Sequence, residues 1–197
     1  MNESDVKKLF AFVSDIIDIE NIPLDDQKTY DLLAGADTDG VFWLESEWDK
    51  YDLRQIQPAN FDELTACIAF GFSQRLNPYI YTYMKIRKVQ RVSYPCYEEI
   101  EAVKDILKDS HGMLLYKEQA AAITDYIANM SAEDRVKHDL AIKILTQEIE
   151  KRKDTLANRT FSRNRALFCY RNAYIKANFS EEFNCFLKMK QLHDYED

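Results

Sequence analysis

The stretch Val6-Lys-Lys-Leu-Phe-Ala-Phe-Val-Ser-Asp-Ile-Ile17 sets the pattern from which we predict the fold. Its apolar residues recur every three or four positions, and this spacing places them on one face of an α-helix. The same spacing returns in two later groups: Leu140, Ile144, Leu145 and Ile149, then Leu167, Tyr170, Tyr174 and Ala177. The sequence therefore predicts an all-α fold.

Capping residues and glycines divide the chain into about nine or ten predicted helices. Only four glycines and four prolines are present, so long loops are poorly supplied. Asp25 is the predicted cap of the second helix, and Gly35 is its predicted end. Asn60-Phe-Asp-Glu63 has the spacing of a capping box, and Ser131 begins a long helix predicted to reach Asp154.

The apolar run Gly40-Val-Phe-Trp-Leu44 is predicted to be a short strand-like stretch or a buried loop. Elsewhere the sequence has no internal repeat, no low-complexity segment and no Gly/Ser-rich linker. We therefore expect residues 1–197 to form a single multi-helix domain, with at most one or two short strand-like segments.

The net charge of −8 is unevenly distributed along the chain. Residues 1–70 carry 5 basic and 16 acidic groups, whereas residues 151–176 carry 8 basic groups and 1 acidic group. A polyanion should be attracted to the C-terminal half and repelled by the N-terminal half. The whole chain nevertheless lacks the basic excess that is typical of an autonomous DNA-binding domain.

Several functional classes find no support in the sequence. No run of about 18 or more apolar residues occurs, so no membrane-spanning helix is expected. The acidic start Met-Asn-Glu-Ser-Asp-Val is unlike a signal or transit peptide, and the predicted location is the cytoplasm. The phosphate loops GxxxxGK[ST] and GxGxxG are absent, as are HExxH and GxSxG, so no cofactor is predicted.

A metal site is not predicted either. The four cysteines share no CxxC spacing and the three histidines lie far apart, unlike the paired ligands of zinc sites. Asp37-Thr-Asp39 has the spacing of a two-carboxylate metal site. It lies in an apparent loop with no third carboxylate, and we interpret it as a solvated turn.

Two basic clusters are candidates for contact with nucleic acid. The first contains Lys85, Arg87, Lys88 and Arg91, beside Tyr79, Tyr81 and Tyr83. The second runs from Lys151 to Arg171 and includes Arg159, Arg163, Arg165 and Arg171. Basic groups among aromatic side chains can hold phosphates while bases stack, and guanidinium groups match phosphate oxygens. Solvated basic faces and tyrosines that pack inward explain the same patterns, so both interpretations stay open.

Several strings of the chain resemble the fingers region of the bacterial DNA polymerase III alpha subunit, a C-family replicative polymerase. Ala36–Ser46 reads ADTDGVFWLES and is similar to the family's GVFQLES; Ser110–Gln119 reads SHGMLLYKEQ and is similar to TYGVIVYQEQ. Tyr174–Phe183 reads YIKANFSEEF and is similar to YLKAHYPAEF. Further matches at Ile22–Leu33 and Leu53–Leu64 keep the same order, so the resemblance spans nearly the whole chain.

The resemblance implies a mostly helical module that closes over the incoming nucleotide and the template. In that family polymerisation uses metal-binding aspartates of the palm, which precedes the fingers. Nothing in this chain matches the palm motifs, and only about twenty residues precede the fingers-like part. DNA-directed DNA polymerase would be the family activity, but we expect the chain not to be an enzyme on its own.

The fingers motifs of the family are themselves eroded in this sequence. Where the family has RPGP, residues 71–78 read GFSQRLNP, which leaves Arg75 and Pro78 as remnants. The family's LRRAMGKKK is expected to contact nucleotide phosphates. It corresponds to Arg135-Val-Lys-His-Asp-Leu140 in this sequence, which keeps Arg135 and Lys137. The family's GFNKSHA corresponds to Phe161–Ala166, and this chain lacks the lysine and the histidine of that motif. The losses are concentrated where substrate phosphates would lie, so a retained scaffold with altered chemistry is expected.

Three functions are compatible with the sequence. The first is a non-catalytic fingers-derived module that binds DNA or a replication protein through the two basic clusters. The second is a protein-interaction or structural module with no nucleic-acid role, which the acidic N-terminal half favours. The third is one piece of a split polymerase whose palm is encoded separately. The sequence predicts no oligomeric state.

Overall fold

The computed structural model describes residues 1–72, 77–89 and 99–193. These residues form eleven α-helices and no strand, and their β pairing is limited to a single bridge between Tyr116 and Ala157. The all-α prediction is therefore confirmed. None of the helices in the described ranges has the length and apolarity that crossing a membrane requires.

The helices are numbered here in chain order. They are α1 (Glu3–Phe12), α2 (Gln27–Ala34), α3 (Glu47–Ile56), α4 (Phe61–Phe72), α5 (Asn77–Val89), α6 (Glu101–Leu107), α7 (Lys117–Ala128), α8 (Ala132–Lys137), α9 (Asp139–Arg152), α10 (Arg159–Asn178) and α11 (Ser180–His193). The 3-10 turns Ile19–Asn21 and Lys108–Ser110 lie between helices of the described ranges.

Residue contacts divide the chain into two compact units. The first unit comprises Met1–Cys67 and Asn164–Asp197, and the second comprises Ile68–Arg163. The first unit carries 10 basic and 21 acidic residues, a net charge of −11, whereas the second carries 16 and 13, a net charge of +3. Compactness does not decide whether the units fold independently, so the single-domain organisation stays a prediction.

The core of the first unit joins the two ends of the chain. Leu9 and Val13, from α1 and its C-terminal cap, are buried together with Ile175 of α10 and with Phe183 and Phe186 of α11. Burial of such side chains contributes about 1.5–3 kcal/mol each. The helical spacing of residues 6–17 therefore marks a fully buried core face only as far as Val13. Helix α1 ends at Phe12, and Ile16, which the same spacing placed on this face, is 54% exposed.

The start of α2 differs by one residue from the prediction. Asp26, rather than Asp25, is the N-cap, and its carboxylate accepts hydrogen bonds from the backbone N–H of Thr29 (2.9 Å) and from the amide of Asn178 (3.0 Å). Burial alone would raise the pKa of Asp26, but these hydrogen bonds outweigh burial and hold the pKa below its ordinary value. Gly35 ends the helix as predicted.

The run Gly40–Leu44 forms a buried loop, the second of the two predicted alternatives. Val41 and Leu44 are buried, and the side-chain oxygen of Asn172 accepts a hydrogen bond from the backbone N–H of Phe42 (2.9 Å). Gly40 has φ +79°, and a Cβ there would lie 2.8 Å from the ring of Phe183. Only glycine fits this turn without strain.

The carboxylates of the Asp37-Thr-Asp39 segment are paired with lysines. The ammonium of Lys176 lies 2.7 Å from the Asp37 carboxylate, 2.9 Å from the Asp37 carbonyl and 3.1 Å from the Asp39 carbonyl. Lys50 lies 2.6 Å from the Asp39 carboxylate. Within the described ranges, no group of three or more His, Cys, Asp or Glu side chains is placed to hold a metal ion.

The core of the second unit is apolar and helical. It consists of Ile100, Val103, Leu107, Leu114, Ala120, Ile123, Ala141, Leu145 and Leu156. Ser131 caps a helix as predicted, accepting a hydrogen bond from the backbone N–H of Asp134 (3.0 Å).

The prediction of one long helix from Ser131 to Asp154 is wrong. At His138, φ −108° and ψ 20° interrupt it and separate α8 from α9. Ala141 and Leu145, four residues apart, define the buried face of α9. Leu140, which helical spacing groups with Ile144, Leu145 and Ile149, lies off that face and is 69% exposed.

Candidate nucleic-acid interface

Helix α5 has one buried side and one exposed side. Ile80, Tyr83 and Ile86 are buried at three-residue spacing. The ring of Tyr83 lies 5.3 Å from that of Phe70 and 5.5 Å from that of His111. One of the three tyrosines of the predicted cluster thus packs inward, and the buried side fixes which side chains of α5 reach solvent.

The exposed side of α5 combines an aromatic residue with two lysines. Tyr81 is 57% exposed, and Lys85 and Lys88 are exposed four and seven positions further on. This spacing places all three side chains along one stripe of the helix. We call Tyr81, Lys85 and Lys88 the α5 basic face.

The α5 basic face has no counter-charge on its own helix. Residues 77–89 contain no aspartate or glutamate. Lys85 and Lys88 form no ion pair with any residue in the described ranges. Arg87 is half-buried on the same helix. Arg75 and Arg91, two other candidates of the sequence analysis, lie outside the described residues.

Part of the basic cluster Lys151–Arg171 lies in the second unit, and Arg152 and Arg159 of that part contact other residues of the same unit. Arg152 is 2% exposed; its guanidinium lies 4.0 Å from the centroid of the Tyr79 ring and 3.6 Å from Glu148. Arg159 forms an ion pair with Asp109. Arg163 is exposed near the start of α10.

Two further arginines of the second cluster lie in the first unit and also have internal partners. The guanidinium of Arg165 lies 4.4 Å from the centroid of the Trp43 ring, and burial lowers the pKa of Arg165. Arg171 forms an ion pair with Glu20 and donates a hydrogen bond to the Glu20 carbonyl (3.2 Å). Cation–π and ion-pair contacts of this kind stabilise the fold that holds them.

Arg135 and Lys137 of α8 differ from each other in role. The guanidinium of Arg135 donates hydrogen bonds to the carbonyls of Ile127 (2.6 Å) and Ala128 (2.9 Å) at the end of α7. It thereby satisfies carbonyls that have no partner within the helix. Lys137 is exposed.

The structure thus brings together only part of the predicted set of basic residues. Lys85 and Lys88 share one exposed face with Tyr81, while Arg159, Arg165 and Arg171 have internal partners. Sequence reasoning could not find these partners, because the two members of each pair are 50, 122 and 151 positions apart. Nucleic-acid contact by any of these residues stays a prediction.

These features define an all-α protein with an acidic unit and a weakly basic unit. Comparison with protein families then identifies it more closely: residues 4–163 match the family model for the bacterial DNA polymerase III alpha subunit finger domain. The chain therefore belongs to this family, and the resemblance found in the sequence is confirmed.

Known relatives of the chain are DNA polymerase III alpha subunits. The subunit of Mycobacterium leprae is 29% identical over 198 aligned positions, covering 85% of this chain and 17% of the relative. Those of Staphylococcus epidermidis and Staphylococcus aureus strain Mu50 are 34% and 36% identical over 118 positions, covering 58% of this chain and 10% of each relative. The chain thus spans less than a fifth of the length of these relatives.

Proposed function

We propose that this chain is a fingers-derived module that binds DNA through the α5 basic face and does not polymerise DNA by itself. The observation that carries the proposal is the α5 basic face, in which the exposed ring of Tyr81 lies on one stripe with Lys85 and Lys88. Lysine ammonium groups neutralise phosphates, and an exposed aromatic ring stacks on an unpaired base.

The distribution of charge supports a DNA contact in the second unit. This unit has a net charge of +3, whereas the first has −11. A polyanion approaching the chain would be repelled by the first unit and attracted by the second. The family supports the same proposal, because the matched region is the finger domain of a DNA polymerase subunit.

The proposal that the chain is not catalytic rests on the part of the family that it matches. Residues 4–163 correspond to the finger domain, and the palm motifs that hold the catalytic metals have no counterpart among the 197 residues. A replication module of this kind would act in the cytoplasm, beside other replication proteins. In a split polymerase, a chain carrying the palm would copurify with this one.

A protein-interaction module is the second candidate function. The observation that favours it is the internal engagement of Arg152, Arg159, Arg165 and Arg171, since these guanidinium groups would have to leave their partners to reach phosphates. It predicts a protein partner and no binding to DNA at low salt.

Fluorescence anisotropy separates the two functions. Binding of the full chain to labelled single-stranded, duplex and primer–template DNA is measured over a range of salt concentrations. The proposal predicts steep weakening with salt, and K85Q/K88Q should reduce the slope of log K against log salt on single strands by about 1.4, about 0.7 for each lost phosphate contact.

K104Q/K143Q is the matched control, because it removes two exposed lysines from the same unit that already pair with Glu101 and Asp139. This variant should keep the salt slope of the unmodified chain. An equal loss in both variants, or no binding to any of the three DNAs at low salt, rejects the α5 basic face. R165E is a poor probe, since it also removes the contact with Trp43.

A further inference from the structure

Helix α3 carries two large aromatic side chains on its outer surface. Trp48 is 80% exposed and Tyr51, three residues later, is 43% exposed. Residues three apart lie side by side on a helix. We call Trp48 and Tyr51 the α3 aromatic face. Tryptophan is a highly buried residue type on average, so one exposed to this extent beside a second exposed ring is unusual.

The α3 aromatic face is not required for α3 to fold. The helix is fixed to its unit by Leu53 and Ile56, both fully buried, and is capped by Ser46, whose hydroxyl accepts a hydrogen bond from the backbone N–H of Asp49 (3.2 Å). The indole of Trp48 has no hydrogen bond and no ring contact within the described residues. Its apolar surface therefore contributes little to the stability of the isolated chain.

Carboxylates dominate the sequence around the α3 aromatic face. Residues 25–52 contain nine acidic and two basic residues. One of the two bases, Lys50, is already paired with Asp39 (2.6 Å) and lies 3.5 Å from Glu47. The side chain of Glu47, next to Trp48, is 81% exposed. Lys28 is the other base of this range, and Arg54 of α3, just beyond it, is exposed. The unit as a whole has a net charge of −11.

We infer that the α3 aromatic face binds a basic segment of another protein, in which arginines or lysines alternate with aliphatic residues. An arginine of the partner would lie over the indole of Trp48, the ring type that attracts cations most strongly. Further partner cations would face Glu47 and its neighbouring carboxylates, and aliphatic side chains would cover the exposed apolar surface.

The charges disfavour the other occupants of this face. DNA would be repelled by the carboxylates of α3 and of the unit around it. A second copy docking through the same face would bring together two units of charge −11 each. This inference is independent of the DNA-binding proposal, because it rests on different residues in the other unit.

The test uses the full chain and a short fluorescein-labelled peptide that repeats Arg-Ala-Leu-Arg. We expect W48A to weaken binding at least about tenfold, as truncation of a central interface tryptophan does. L140A, which removes an exposed apolar side chain of the second unit, should bind the peptide as the unmodified chain does. W48A should keep the thermal unfolding midpoint of the unmodified chain, because Trp48 is exposed.

A second pair of variants tests the charge. E47Q and E133Q each remove an exposed glutamate from the first turn of a helix, so their effects on the helix dipole match. E47Q should weaken binding of the Arg-Ala-Leu-Arg peptide several-fold at low salt, and E133Q should leave the affinity for this peptide unchanged.

Three outcomes would overturn the inference. Equal affinity of the peptide for W48A and for the unmodified chain excludes the α3 aromatic face as the site. Equal affinity for a peptide repeating Glu-Ala-Leu-Glu excludes a basic partner. Self-association in sedimentation velocity that W48A abolishes identifies a second copy as the occupant instead. In each case DNA binding by K85Q/K88Q and its control would still report separately on the α5 basic face.

Discussion

Single arginines show why a count of basic residues overstates the positive charge offered to a partner. Arg165 stacks on Trp43, and Arg152 stacks on Tyr79 while almost fully buried. A buried cation–π contact contributes about 2 kcal/mol, which a phosphate would have to replace before either residue could bind DNA. The exposed lysines of α5 carry no such cost, and for this reason the proposal rests on them.

Asp26 allows a prediction about the effect of pH on stability. Because hydrogen bonds lower its pKa in the folded state, the ionised carboxylate adds stability above its unfolded-state pKa near 3.8, and this stability is lost as pH falls through the lowered folded-state pKa. D26N lacks this contribution. Its free energy of unfolding should therefore fall less steeply than that of the unmodified chain between pH 6 and about pH 2.5.

The measurement is equilibrium unfolding in urea, monitored by circular dichroism, at a series of pH values. D25N is the control, since Asp25 is exposed and does not cap α2. It should follow the unmodified chain across the whole range. Identical pH profiles for D26N and the unmodified chain would show that the Asp26 carboxylate does not contribute to acid sensitivity.

At the scale of elements, the short helix α8 is joined to the end of α7 by one side chain. Arg135 donates hydrogen bonds to two carbonyls in the last turn of α7. In this chain the guanidinium caps a helix. Arg135 therefore has a structural role in the folded chain.

We predict that R135A lowers the free energy of unfolding by about 1 kcal/mol, because the charged hydrogen bonds to the last two carbonyls of α7 are lost. K137A, two positions away on the same short helix, should change it by less than about 0.5 kcal/mol. Equilibrium urea unfolding measures both. Equal effects of the two substitutions would indicate that Arg135 does not cap α7.

Local signals in the sequence predicted the fold where the decisive partners are close in the chain. The cap at Asn60 forms, with its side chain accepting a hydrogen bond from the backbone N–H of Glu63 (2.9 Å). The break at His138 could not be predicted from the spacing of apolar residues. Leu140 and Ile144 keep the spacing of a helix although neither side chain is fully buried, so the pattern suggested one continuous helix.

The candidate site was predictable to a similar extent. The lysines of α5 share a face because helix geometry fixes their spacing. Whether an arginine faces solvent depends on partners remote in sequence, such as Trp43 for Arg165, and helical spacing carries no information about them.

At the scale of the whole molecule, opposite charges are segregated into different units of one chain. The net charge of −8 is the sum of −11 for the first unit and +3 for the second unit. Long-range repulsion by the acidic unit should therefore weaken DNA binding at low salt more than at high salt. The Debye length falls from about 30 Å at 0.01 M to about 10 Å at 0.1 M ionic strength.

We predict that D15N/D25N, which removes two exposed carboxylates of the first unit, strengthens binding to single-stranded DNA several-fold at low salt and has no effect above about 0.3 M salt. D15E/D25E keeps the charge and should bind as the unmodified chain does. Anisotropy titrations at the two salt concentrations give both values. A gain that persists at high salt would point to a local structural change instead of long-range repulsion.

The Lys176 ammonium, held by the Asp37 carboxylate and by the carbonyls of Asp37 and Asp39, is a counter-ion that is covalently attached to the protein. An ion drawn from solution would occupy such a loop to a degree set by its concentration. A tethered one is supplied at a high effective concentration fixed by the chain itself. The conformation of this turn therefore does not depend on which ions are present in the surrounding solution.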